Sequence, residues 1–217
     1  MFTGIVEEKG TIQAITKQGA SMELTIHANK VLTDVRVGDS ISVNGVCLTV
    51  IKFDKNGFTV DVMPETFRDT ALSRLTIRSI VNLERAMAAN GRFGGHFVSG
   101  HVDRVGIIER IWYEANAKYM LITVGPVDMR YLVEKGSITV DGTSLTVFDL
   151  TENGFIISLI PETQAATILG EKQQGDDVNL EFDMLAKYID RLLSKREEPK
   201  NPVHLTEEKL QRYGFFS

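Results

Sequence analysis

One stretch of this chain is written twice, about 97 residues apart, and that repeat limits the folds open to it. Val43-Asn44-Gly45-Val46-Cys47-Leu48-Thr49-Val50 returns as Val140-Asp141-Gly142-Thr143-Ser144-Leu145-Thr146-Val147. Pro64-Glu65-Thr66 returns as Pro161-Glu162-Thr163. Between 43–66 and 140–163, 11 of 24 positions are identical without a gap. Val81-Asn82-Leu83-Glu84 comes back as Val178-Asn179-Leu180-Glu181 at the same offset, and Thr3-Gly4-x-Val6 answers Ser99-Gly100-x-Val102 at an offset of 96. Solenoid units run to about 20–50 residues, whereas this period is the length of a small domain. The chain is a tandem duplication, so function is to be sought in two similar but unequal sites.

Composition narrows the classes. A chain of 217 residues holds two such domains, and 43% hydrophobic with 24% charged residues is ordinary for a globular protein. A net charge of −5 argues against a nucleic-acid partner, which needs a basic face. The single Cys47 forbids an intrachain disulfide and points to a reducing compartment. Met1-Phe2-Thr3-Gly4-Ile5 has no basic region before an apolar run, so no signal peptide is expected. No stretch is apolar for long enough to span a membrane. A cytoplasmic location is the expectation.

Both copies read as strands. Ser40–Val43, Ser137–Val140 and Phe58–Val62 alternate with period two. Asn44-Gly45, Asp141-Gly142, Asn56-Gly57 and Asn153-Gly154 are hairpin signals of the type that tolerates positive φ at both central residues. Short strands without long helices between them predict an all-β fold, with one closed or nearly closed barrel of about six antiparallel strands per copy. The stretches Phe67–Leu75 and Gln164–Leu169 have room for a helical turn or two, with Thr66 and Thr163 as caps. The expected domains are 1–90 and 97–183, joined near Ala88–Gly95, with a helical tail over 184–217. In that tail Met184, Leu185, Tyr188, Ile189, Leu192 and Leu193 share one helical face. Asp183 stands at the N-cap position, Pro199 and Pro202 end the run, and Thr206–Tyr213 reads as a further short helix.

Cys47 and Ser144 occupy equivalent places, each with a threonine two residues on, Thr49 and Thr146, on the same strand face. They are either small residues filling a strand or side chains turned to a ligand. His96 and His101 lie five apart around glycines, and His27 and His204 are distant in sequence, so no metal-ligand set is recognised. His101 replaces Ile5 of the first copy, which suits contact with a ligand or handling of a proton. The glycines near residue 95 form neither a P-loop nor a dinucleotide fingerprint. Lys135 lies beside Gly136 in a turn, where a lysine is by default solvated.

Met1-Phe2-Thr3-Gly4-Ile5-Val6, the paired Cys-Leu-Thr-Val and Ser-Leu-Thr-Val, the paired Pro-Glu-Thr and Gly94-Gly95-His96-Phe97-Val98-Ser99-Gly100-His101 together resemble the riboflavin synthase alpha-subunit family over 1–195. The resemblance implies two six-stranded Greek-key barrels, a C-terminal helix, and a homotrimer built through that helix. It implies dismutation of two molecules of 6,7-dimethyl-8-ribityllumazine without metal or redox cofactor, at a site between the N-terminal barrel of one subunit and the C-terminal barrel of its neighbour. A lumazine synthase shell is a further partner it raises. Carried over by motif, the N-barrel pocket is Gly4, Ile5, Val6, Cys47, Leu48, Thr49 and the run Asp61, Val62, Met63, Pro64, Glu65, Thr66. The C-barrel pocket is Gly100, His101, Val102, Lys135, Ser144, Leu145, Thr146 and the run Ser158, Leu159, Ile160, Pro161, Glu162, Thr163. Asp183 matches an acidic residue near the reacting ring. The catalytic candidates are Ser144 or Thr146 with His101 on the C-barrel, Cys47 with Thr49 on the N-barrel, and Asp183.

A reaction between two copies of one molecule needs two pockets of like shape and unlike chemistry. Duplication supplies the first, and Cys47 against Ser144, Ile5 against His101 and Asn44 against Asp141 are candidates for the second. The rivals are a non-catalytic flavin or lumazine carrier, which has no need of two intact pockets and a tail helix, and an oligonucleotide-binding barrel pair, which the charge and the lack of a basic aromatic stripe disfavour.

Overall fold

The computed structural model describes residues 1–18, 21–197 and 207–214. Pro199, Pro202, His204 and Thr206 lie outside them. The N-terminal barrel is built from β1 (Glu8–Gln18), β2 (Ser21–His27), β3 (Ser40–Val43), β4 (Val46–Phe53), β5 (Gly57–Val62) and β6 (Ile80–Arg85). The second contains β7 (Arg104–Glu114), β8 (Ala117–Thr123), β9 (Ser137–Val140), β10 (Thr143–Leu150), β11 (Gly154–Leu159) and β12 (Asp177–Phe182). Both sheets close, in the orders β1-β2-β5-β4-β3-β6 and β10-β11-β8-β7-β12-β9, and every pairing is antiparallel. Closure leaves no long edge unpaired. Alternation fills each interior: Leu24, Ile26, Ile41, Phe58, Val60 and Leu83 in the first, and Ile122, Met120, Ile138, Phe155, Ile157 and Leu180 in the second.

The turn signals divide. At Asn44-Gly45 and Asp141-Gly142 both residues have positive φ, as expected for a primed hairpin. Asn56-Gly57 does not. There Asp54 closes the turn, its Oδ1 accepting from the amides of Asn56 (2.7 Å) and Gly57 (3.0 Å). Gly57 is needed for a different reason, since a Cβ there would collide with the Ile26 carbonyl. The short helices α1 (Pro64–Asp69) and α2 (Pro161–Ala166) begin earlier than the sequence predicts, because Pro64 and Pro161 take the first helical position. Thr66 and Thr163 therefore sit inside the helices rather than capping them. Instead the Thr70 hydroxyl accepts from the Leu72 amide and caps the following 3-10 turn.

The barrels meet about a pseudo-twofold axis through the repeated turns. Asn82 Nδ2 donates to the Asp141 carbonyl (2.8 Å) while its Oδ1 accepts from Ile168 N (2.8 Å). Asn179 mirrors it, donating to the Asn44 carbonyl (2.8 Å) and accepting from Ala71 N (2.7 Å). Asn44 Oδ1 and Asp141 Oδ1 in turn accept from the amides of Asn82 and Asn179. The Asn44–Asp141 difference thus lies in the seam between barrels, not in a ligand pocket.

Helix α3 (Met184–Glu197) follows β12 directly, and Asp183 Oδ1 accepts from the Leu185 amide (2.9 Å) as an N-cap does. Lys187 Nζ bonds Asp103 (2.7 Å), tying α3 to the second barrel. The expected short helix is present as α4 (Glu207–Arg212).

Asp141 carries a testable cost. Its carboxyl is fully buried, Oδ2 accepts no hydrogen bond, and Lys172 Nζ is 3.5 Å away. Burial pushes its pKa up, with Lys172 opposing. The folded state then holds the proton more tightly than the unfolded chain. Stability tied to this group is present below the ordinary value of 3.8 and is lost as pH rises through the raised one. Asp141→Asn, which copies the first repeat, should raise the melting temperature at pH 8 more than at pH 4. Calorimetry at both pH values checks it, and an equal shift at the two refutes it.

Candidate active site

On β4, Val46, Leu48 and Val50 are buried in the barrel while Cys47 and Thr49 face outward. On β10 the outward pair is Ser144 and Thr146. Beyond them lie the outer residues of β5 and β11 and the openings of the short helices. Asp61, Met63 and Glu65 are exposed on one barrel and Ile160, Pro161 and Glu162 on the other, with Pro64, Thr66, Ser158 and Thr163 half-buried. Three expected lining residues point the other way. Leu48, Val62 and Leu159 belong to the cores, 4%, 0% and 0% exposed, so only their backbones reach the outer faces. Leu145 is half-buried against the second core.

The sorting of the leading segments is reversed from the sequence reading. Gly4 does not border Cys47. Its carbonyl accepts from the Ser144 amide of the other barrel at 2.7 Å. Likewise the Gly100 carbonyl accepts from the Cys47 amide at 2.8 Å, and Val102 packs on the first core. Phe2 and Val98 pair as a short antiparallel bridge where the two segments cross. Both glycines have positive φ, and a Cβ on either would stand 2.6 Å from the Cβ of Ser144 or Cys47. One face therefore joins Cys47, Thr49 and Asp61–Thr66 with Gly100, His101 and Val102. The other joins Ser144, Thr146 and Ser158–Thr163 with Gly4, after which come the exposed Ile5 and the half-buried Val6. The exposed His101 goes with Cys47, not with Ser144.

Ser144 has a different histidine. His96 is buried, its Nδ1 is 2.7 Å from Ser144 Oγ, and its Nε2 is 3.1 Å from Thr139 Oγ1. Burial lowers the ring's pKa, with Asp183 and Glu181 opposing. A neutral ring in the tautomer protonated at Nε2 donates to Thr139 and leaves Nδ1 to accept the Ser144 proton, the arrangement of a hydroxyl nucleophile with its base. Among the described residues no histidine is hydrogen-bonded to Cys47, the equivalent of Ser144. Only the closeness of two histidines around Gly-rich sequence hinted at the His96 contact.

Lys135, in a turn at positive φ, extends along β10. Its Nζ bonds the Phe148 carbonyl (2.7 Å) and lies 4.4 Å above the Phe148 ring. It therefore continues the outward row of Ser144 and Thr146. Among the described residues, no group of three or more His, Cys, Asp or Glu side chains is placed to hold a metal ion, and no helix is long and apolar enough to cross a membrane.

The model of the lumazine binding domain matches residues 3–86 and again 99–183. The chain belongs to this lumazine-binding family. It is 57% identical over 215 residues to the riboflavin synthase of Bacillus subtilis, covering 99% of this chain and 100% of the relative. It is 53% identical over 217 residues to that of Actinobacillus pleuropneumoniae, covering 99% and 100%. Among solved structures, LumP complexed with riboflavin matches with a TM-score of 0.77 at 24% identity, covering 84% of this chain and 99% of that one. At that identity the likeness concerns the fold. The two matched lumazine-binding units are the two barrels, and the segments that begin them, Thr3–Val6 and Ser99–Val102, are the ones exchanged between faces.

Because burial depresses the His96 pKa, its stability contribution is complete above the ordinary imidazole value of 6.5 and is lost as pH falls through the lowered one. NMR titration should find His96 protonating below 6.5, and His96→Gln should flatten the acid side of the stability profile. A ring that titrates at or above 6.5 refutes the burial argument.

Proposed function

We infer that this chain acts as its riboflavin synthase relatives do. It takes two molecules of 6,7-dimethyl-8-ribityllumazine, moves a four-carbon unit from one to the other, and releases riboflavin and 5-amino-6-ribitylaminouracil. The observation that carries this reading is the pair of outward faces, alike in backbone and unequal in chemistry. One bears Cys47, Thr49 and an exposed His101; the other bears Ser144 hydrogen-bonded to a buried His96.

In this reading Ser144 Oγ adds to ring carbon 7 of one lumazine while its proton passes to His96 Nδ1, supported by the 2.7 Å contact. On the other face His101 takes a proton from the acidified ring methyl of the second lumazine, with Cys47 and Thr49 against that ring. Asp183 is an acidic neighbour of His96 and favours the imidazolium once formed. The larger share of the acceleration comes from holding two rings face to face, where pre-organised geometry supplies roughly 7–11 kcal/mol.

Both faces lie on the outside of their barrels, and we take the two ligands to meet where faces of different chains come together. Helix α3 suits that task. Leu185, Tyr188, Ile189, Leu192 and Leu193 are each more than half exposed along one stripe, a patch that favours association. We take three stripes meeting to form a homotrimer, with the N-barrel face of one chain set against the C-barrel face of the next. A cytoplasmic location fits the lone thiol of Cys47.

Purified protein incubated with the lumazine should produce riboflavin absorbance without added cofactor. Ser144→Ala should reduce turnover on the order of a hundredfold, and Cys47→Ser should reduce it while substrate still binds. Wild-type rates in both variants would make these residues strand filler. Leu185→Glu with Leu192→Glu should give soluble monomers that bind riboflavin weakly and turn over several orders of magnitude more slowly, as the second ligand is no longer held. Sedimentation and a rate assay on one sample check this. A monomer with near-normal turnover places the site within one chain.

A further inference from the structure

Each barrel spends one buried carboxylate on a segment that completes the other barrel's face. Glu84, 5% exposed on β6 of the first barrel, accepts from the Thr3 amide (2.7 Å), the Thr3 hydroxyl (2.7 Å) and the Gly4 amide (3.0 Å). Glu181, 2% exposed on β12 of the second, accepts from the Ser99 amide (2.7 Å), the Ser99 hydroxyl (2.6 Å) and the Gly100 amide (2.9 Å). The carbonyl end of each held glycine then crosses over: Gly4 to the Ser144 amide and Gly100 to the Cys47 amide. The same peptide segment thus joins a carboxylate in one barrel to the candidate nucleophile's backbone in the other.

We propose that Glu84 and Glu181 are positioning residues that act crosswise, Glu84 setting the wall of the Ser144 pocket and Glu181 setting the wall of the Cys47 pocket. This rests on the pocket reading above and adds to it which residue governs which ligand. A carboxylate is the group the geometry requires. Three donors converge on two oxygens, and a carboxamide in its place offers one acceptor and turns N–H groups toward at least one backbone N–H. A hydrogen bond from an amide to a buried charged acceptor is among the strong ones, and leaving a buried donor unpaired forfeits more than the bond itself. The hydroxyls of Thr3 and Ser99 add a brace, for they also accept from the amides of Ile5 (3.3 Å) and His101 (3.2 Å), two residues on. The carboxylate, the hydroxyl and the glycine together fix the direction in which Ile5 or His101 leaves the turn. That is how a residue touching no ligand sets the residues that line the pocket.

The crossed relation separates this from a plain structural role. A carboxylate that only stabilised its own barrel would, when removed, disturb that barrel's pocket. Cys47 is the single cysteine and lies on the first barrel's face, so its alkylation by iodoacetamide, and the protection given by riboflavin, report directly on the first barrel's pocket. The proposal expects Glu181→Gln, a change in the second barrel, to weaken riboflavin protection of Cys47 by about tenfold or more. It expects Glu84→Gln, a change in the same barrel as Cys47, to leave that protection within about twofold while turnover falls by about tenfold or more. Ser99→Ala and Thr3→Val remove the hydroxyl, both donor and brace, but keep the carboxylate, and should repeat the pattern with smaller effects. They carry the test if either glutamine variant fails to give a cooperative melt. Loss of Cys47 protection in the Glu84 and Thr3 variants with retention in the Glu181 and Ser99 variants overturns the proposal, as does equal protection in all four. Failure of riboflavin to protect Cys47 in the unsubstituted protein overturns the pocket reading itself, a result distinct from either.

Discussion

The contact on which the rest depends is the close approach of two turns at the pseudo-twofold axis. Gly45 and Gly142 pass so near that a Cβ on either would stand 2.8 Å or 2.7 Å from the other's amide nitrogen. Around them Asn82 and Asn179 each satisfy a carbonyl and an amide of the opposite barrel. A buried carboxamide leaves little room for error, since any unpaired donor or acceptor keeps its full desolvation cost. The seam therefore has one register. Once that register is set, the segments before β1 and β7 have one place to lie, across the partner barrel and beside Cys47 or Ser144.

That crossing bears on function more than the barrels do. An isologous contact reproduces on side two whatever it builds on side one, so duplication gives two faces with the same backbone. Unequal chemistry then has to come from single positions. Cys47 against Ser144 and Ile5 against His101 are such positions. Asn44 against Asp141 is not: it places a buried carboxyl in the seam, with Lys172 as its partner, and touches neither face.

Much of the fold was legible because the repeat is dense where the backbone is most constrained. The positive φ at Asn44-Gly45 and Asp141-Gly142, the alternation of β4 and β10, and the apolar stripe of α3 all follow from local chemistry. Asn56-Gly57 marked the β4–β5 hairpin but not its turn type, because the Asp54 side chain closes the turn by accepting from the amides of both residues. The outward strand faces were legible from the paired motifs, but the sorting of the leading segments between them was not. Matching Thr3-Gly4 to Ser99-Gly100 shows that the segments are equivalent, and gives no sign that each serves the other barrel. Side-chain direction was lost at Leu48, Val62 and Leu159, where a contiguous motif was read as lining although alternate residues of a strand must face the core.

His96 shows why one chemical difference between the two faces was hard to read. It lies in the connection between β6 and β7, outside both sheets and outside the repeat, so comparing the copies cannot expose it. The same freedom makes the position chemically useful. A residue on a strand of either barrel is held to the backbone geometry of its twin, whereas His96 lies between the two matched units, 3–86 and 99–183. The connection can thus place an imidazole 2.7 Å from Ser144 and leave Cys47 without one. Burial depresses the His96 pKa, and His101 lies exposed on the other face. A dismutation asks one molecule to give what its twin accepts, and we read that inequality as set jointly by Cys47 against Ser144, Ile5 against His101, and a histidine between the two matched units.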